Sequence, residues 1–194
     1  DIGVARALRQ MNGDLALHAS TQMAVHNPQG VEFLVKQGFR RVVLAREMTY
    51  DEIRRCADLG AELEVFVHGA LCVSCSGQCL MSSMIGGRSG NRGMCAQPCR
   101  MRYRAGDREG YFLSTKDLCG LDGLKYLIDA GVRSLKIEGR LKRPEYVGEV
   151  THIYRDALTA ISAGAPFDLD AAKRDLNQMF NRGGFTKGYG FGVE

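Results

Sequence analysis

The stretch TYDEIRRCADLGAELEVFVH, residues 49–68, holds a helix followed by a strand. Thr49 can accept the amide three residues on while Glu52 reaches back, the reciprocal pair that starts a helix. Gly60 stands where that helix should stop, and residues 62–68 then read as a strand after a tight turn. The same rhythm extends in both directions. Short apolar runs at 15–18, 41–45 and 133–137 look like strands, with amphipathic segments between them. Residues 121–131 read as a helix ended by glycine. Pro144 opens a long helix to about Ala163 at the first-turn position proline favours, and Gly164-Ala165-Pro166 ends it.

Alternating strands and helices predict parallel βα units and an α/β fold. Strand starts lie roughly 20 to 25 residues apart outside the cysteine segment, the spacing of a (β/α) barrel, which typically needs about 250 residues to close. Four strands are visible, and residues 1–10 read as the tail of a helix without a start signal. The expected architecture is therefore a partial (β/α) TIM-type barrel, truncated at the N-terminus, with a cysteine-rich loop insertion. Residues 1–165 form the barrel part, with a metal-binding segment at 68–105, and 166–194 form a C-terminal extension whose glycine-rich, aromatic end reads as a loop.

The chain has 194 residues, 45% hydrophobic and 25% charged, the composition of a globular domain and not of a disordered or fibrous chain. No stretch approaches the roughly 18 apolar residues of a spanning helix, and the first residues lack the pattern of a secretory leader, so the expected location is cytoplasmic. A net charge of +4 suits a polyanionic partner without demanding one.

Seven cysteines are many for a reducing compartment, and five of them fall between Cys72 and Cys99. Four thiolates brought together by glycine-rich loops satisfy either tetrahedral zinc or an iron-sulfur cluster. Cys72-x2-Cys75 with Cys95-x3-Cys99 reads as a zinc ribbon, which would make a zinc-stabilised RNA-binding module. The wider Cys72-x6-Cys79 pair with Cys95 and a distant fourth thiol is equally open to a cluster. Cys56, on the helix from Thr49, reads as a core thiol.

Lys136, Glu138 and Arg140 lie at the C-terminal end of a strand, where barrel active sites are built. Two cations there could hold the carboxylates or phosphate of an anionic substrate, with one carboxylate to orient it or transfer a proton. His18 closes another strand and points at the same mouth. His68, just before the cysteines, could support a metal centre from behind its ligands. Arg88, Arg92, Arg100, Arg102 and Arg104, interleaved with Tyr103, form a basic and aromatic patch that could track an RNA backbone. No His-Glu-x-x-His pattern and no clear nucleophile and base pair stand out.

The runs Val67-His68-Gly69-Ala70-Leu71-Cys72, Ser76-Gly77-Gln78-Cys79-Leu80-Met81-Ser82, Asn91-Arg92-Gly93-Met94-Cys95-Ala96-Gln97-Pro98-Cys99-Arg100, Ser114-Thr115-Lys116-Asp117-Leu118 and Ser134-Leu135-Lys136-Ile137-Glu138-Gly139-Arg140 resemble the collagenase-like peptidase family U-32. The family includes proteins classed as peptidases and bacterial proteins that hydroxylate ribosomal RNA, transfer RNA or the ubiquinone precursor. The resemblance implies a 4Fe-4S cluster on Cys72, Cys79, Cys95 and Cys119, with the thiol matching Cys99 taking the fourth place in some relatives. It also implies prephenate as the oxygen source. The expected function is iron-sulfur-dependent hydroxylation of an RNA base, with a metal-dependent collagenase-like peptidase as the competing reading.

Overall fold

The computed structural model describes residues 1–192; Val193 and Glu194, the end of the expected C-terminal extension, lie outside the described residues. In chain order the helices and strands are α1 (Ile2–Met11), β1 (Leu17–Ala19), α2 (Pro28–Lys36), β2 (Phe39–Val43), α3 (Tyr50–Arg55), β3 (Glu62–Ala70) and α4 (Met81–Gly86). These are followed by β4 (Tyr103–Ala105), β5 (Arg108–Gly110), β6 (Asp117–Cys119), α5 (Leu124–Asp129), β7 (Ser134–Ile137), α6 (Pro144–Ala163), α7 (Leu169–Gln178) and β8 (Phe185–Thr186).

The four strands legible in the sequence pair in parallel and in chain order, β1 on β2, β2 on β3 and β3 on β7. Val42 sits opposite Leu63, and Val65 opposite Leu135. Alternation along β3 sends Leu63, Val65 and Val67 into the core shared with Val150, Ile153 and Tyr154 of α6. Each fully buried aliphatic side chain contributes roughly 1.5–3 kcal/mol, so this interface is the main apolar support of the sheet. The opposite face of β3 is polar: Glu64 is bound there by Arg41, Ser134 and Lys136.

The sheet then departs from a barrel. β6 lies antiparallel across the last residues of β3, with His68 opposite Cys119, and β8 continues from β6. β4 and β5 form a separate hairpin. The described residues thus form an open mixed sheet with no closed barrel, because an antiparallel strand takes the end of β3.

Local signals are otherwise realised closely. Thr49 and Glu52 make both bonds of the capping box. That helix stops at Arg55, short of Gly60, since the chain turns through Asp58 and Gly60 at positive φ. In the first turn of α1 the Asp1 carboxylate accepts the Val4 amide at 3.2 Å. α6 runs from Pro144 to Ala163 and ends on Gly164 in the left-handed conformation.

Residues beyond 165 pack on the same body. Ala172 and Leu176 of α7 join the common core. The glycine-rich end, expected as a loop, supplies β8 and then returns to α3, where the Tyr50 amide donates to Gly190 O at 2.8 Å and the Phe191 ring meets Tyr50 edge-on. Among the described residues no helix is long and apolar enough to cross a membrane.

Candidate metal centre and its cavity

The segment after β3 is folded back by backbone demands that its sequence meets. Gly77 has φ +77°, and a Cβ there would come within 2.7 Å of Gln22 O, so only glycine lets the loop approach the turn after β1. Ser76 fastens the loop to the end of β2: its hydroxyl accepts the Arg46 amide at 3.2 Å, and its own amide donates to the Glu47 carboxylate. α4 follows, and Ser82 on it accepts the Ala96 amide at 2.9 Å, which joins the two cysteine segments. Gln97 takes the left-handed conformation that turns the chain into Pro98 and Cys99.

These contacts gather Cys72, Cys75, Cys79, Cys95 and Cys99 around one cavity of about 180 Å³, with Arg46, Arg100, Glu138 and Arg140 also on its wall. Cys75 is exposed and the other four are half-buried. The Gln97 amide donates to Cys95 Sγ at 3.3 Å, which fixes that sulfur against the turn. Burial pushes the Cys99 thiol up; Arg100 pulls it down, and the charges of Cys72, Cys95 and Cys79 push it up again, so these four sulfurs sense one another. Among the described residues no three His, Cys, Asp or Glu side chains close on one point as a single metal ion requires. The thiols rim a space.

Arg100 is the brace behind that rim. Its guanidinium donates to Leu71 O, to Thr115 O at 2.7 Å and to Thr115 Oγ1 at 3.0 Å, tying the residue before Cys72 to the approach of β6. Glu138 turns its carboxylate back to accept the Arg140 amide at 2.8 Å.

The cysteine segments thus line a cavity beyond the C-terminal end of β3. The model of the peptidase family U32 matches residues 1–194. This chain belongs to peptidase family U32. It is 46% identical over 155 residues to a 23S rRNA 5-hydroxycytidine synthase of Escherichia coli K12, covering 76% of this chain and 24% of that protein. It is 35% identical over 174 residues to the tRNA hydroxylation protein P1 of Bacillus subtilis, covering 82% of this chain and 41% of the relative. A protein named collagenase from Porphyromonas gingivalis is 37% identical over 200 residues, covering 91% and 48%. The chain therefore spans about a quarter to a half of the length of these relatives. No solved structure matches it.

In this U32 chain the expected site residues divide. Cys72, Cys79 and Cys95 share the cavity with Glu138 and Arg140. Cys99 is there, and Cys119 is not among its lining residues: Cys119 is buried in β6, its thiol pushed up by burial and hydrogen-bonded to Tyr154. Lys136 is away from the cavity as well, its ammonium 2.8 Å from Glu64. His18 is exposed and faces a neighbouring cavity that shares Gln22 and Asn91 with the first. His68 points into the core, its Nδ1 3.3 Å from Tyr154 Oη, and burial lowers its pKa to about 4. Of the arginine patch, Arg100 is the brace and Arg88 closes its own loop on Met94 O, while Arg102 and Arg104 stay exposed.

Sequence reasoning missed Arg46, Ser76 and the Asp117–Arg182 pair. Arg46 could have been found by the rule that picked His18 and Lys136, since it stands just past the C-terminal end of β2. Ser76 and Arg182 carry no local signal; their partners are about 30 and 65 residues away.

Proposed function

We propose that this chain is part of an RNA-base hydroxylating enzyme whose 4Fe-4S cluster is held by Cys72, Cys79, Cys95 and Cys99. The observation that carries the reading is the convergence of these four thiols on one cavity with Glu138 and Arg140. A rim that encloses volume suits a multi-iron cluster better than one zinc ion, whose four sulfurs must lie about 2.3 Å from a common centre. This weighs against the zinc module. Cys99 is taken as fourth ligand in place of Cys119, since Cys99 lines the cavity while Cys119 is buried in β6 beside Tyr154. When bound, the cluster supplies redox chemistry next to the substrate.

Glu138 and Arg140 then act on an anionic oxygen donor of the prephenate type, the arginine binding a carboxylate and Glu138 orienting the donor or moving a proton. The named RNA-hydroxylating relatives support RNA as the acceptor, and the exposed Arg102 and Arg104 provide cations for its backbone. The parallel run β1-β2-β3-β7, backed by helices, is consistent with one wall of a larger barrel. The collagenase-named relatives favour a peptidase, yet His68, the histidine nearest the cysteines in sequence, is committed to the core and cannot serve a thiol nucleophile at the rim.

The test is mass spectrometry of RNA from cells lacking the full-length gene and complemented with each variant. Loss of one added oxygen on a base in the deletion strain, restored by the wild type and not by Cys99→Ala, is the expected result. Unchanged hydroxylation in the deletion strain, with gelatin cleavage by the purified wild type that Glu138→Ala abolishes, would replace this reading by the peptidase.

A further inference from the structure

We infer that Arg46 is the carboxylate-binding residue of the cysteine cavity, acting with Arg140 on a small anionic co-substrate. The inference deepens the proposed hydroxylation and rests on it for the identity of that co-substrate. Arg46 follows β2 and lies across the Phe66 ring, its guanidinium carbon 5.0 Å from the ring centre. Its Nε is buried and has no hydrogen-bond partner. Three other cations near this sheet are spent: Arg41 on Glu62 and Glu64, Lys136 on Glu64, Arg182 on Asp117. Among the described residues Arg46 forms no ion pair, so a half-buried guanidinium stands on a cavity wall with donor capacity unused. The buried Nε is out of reach of a molecule in the cavity, and the outer guanidinium nitrogens, which make no ion pair either, are the donors an oxyanion there could use.

The thiols do not claim this cation. The cation acting on Cys99 is Arg100, and Arg46 shares the cavity wall with Glu138 and Arg140 as well as with the thiols. The Phe66 ring restricts the guanidinium by a cation–π contact, and the planar guanidinium can grip a carboxylate through two N–H groups. No bond to the co-substrate is made or broken by Arg46, which is a binding residue.

The experiment is calorimetric titration of anaerobically purified protein with prephenate, alongside iron and sulfide content of each variant. Arg46→Ala should weaken prephenate binding by about ten- to a hundredfold, and Arg46→Lys, which keeps the charge but not the planar fork, should recover only part of it. Iron content should not change, and Lys136→Ala should alter affinity by less than about twofold. The inference is overturned if the wild type does not bind prephenate, if Arg46→Ala binds as the wild type does, or if Arg46→Ala loses iron, which would make the residue a counter-charge for the metal centre. It is equally overturned if Arg46→Ala weakens an RNA oligonucleotide and spares prephenate. A wild type that does not bind prephenate would also remove the donor assigned to Glu138 and Arg140, while RNA hydroxylation itself stands or falls on the RNA mass spectra.

Discussion

Asp117 is wholly buried, and its Oδ1 lies 2.7 Å from the Arg182 guanidinium across 65 residues of chain. Removing either partner alone leaves a buried charge uncompensated. Arg182→Met should therefore cost about 3–5 kcal/mol in urea unfolding, and Asp117→Asn in the same background should restore part of it. His68 gives a second expectation. Its ordinary value is 6.5 and the folded value is about 4. Below pH 6.5 the unfolded chain takes up a proton that the folded protein refuses, so stability is whole above that pH and falls as pH drops toward 4. The loss reaches roughly 3 kcal/mol, at about 1.4 kcal/mol per pH unit. Urea midpoints between pH 7 and 4.5 should show it in the wild type, and His68→Gln should lack that part of the acid sensitivity. The sequence could not reveal this role, because a strand-end histidine next to cysteines reads the same whether it faces a cavity or, as here, Tyr154.

Elements whose signals are local were legible. The Thr49–Glu52 capping box formed as read, and Thr49→Ala should cost about 1 kcal/mol of thermal stability, measured by calorimetry. Pro144 and Gly164 bounded α6 in the same way. β6 was missed because its three residues sit inside a longer polar run, and nothing near Asp117 announces an antiparallel partner at Ala70. That omission left the fourth thiol open between Cys119 and Cys99. Placement on β6 turns Cys119 toward Tyr154, whereas the Gln97-Pro98 turn brings Cys99 to the rim. Under the proposed cluster, replacing Cys99 by Ala should abolish bound iron and sulfide, and Cys119→Ala should keep both with at most a loss of stability. Iron retained in Cys99→Ala and lost in Cys119→Ala would reverse the ligand assignment.

At the scale of the molecule, the parallel order β1-β2-β3-β7 followed from strand spacing, while the closing behaviour did not. The fate of the sheet edge depends on β6, β8 and the tail from Asn181 to Gly192, whose pairing is long-range. Under the RNA reading the exposed arginines of the β4 segment should act additively and sensitively to salt. Arg102→Ala with Arg104→Ala should lower affinity for a single-stranded RNA oligonucleotide and flatten the slope of log affinity against log salt by about 0.7 per lost phosphate contact. An unchanged slope would place the RNA elsewhere. The clamps on the cysteine loops, Ser76 to the end of β2, Ser82 to Ala96 and Arg100 to Leu71, are all made between protein groups. A vessel braced in this way does not need its contents in order to keep its shape. Reconstitution after chelation should proceed at a rate set by the supply of iron and sulfide, with far-ultraviolet dichroism unchanged from start to finish.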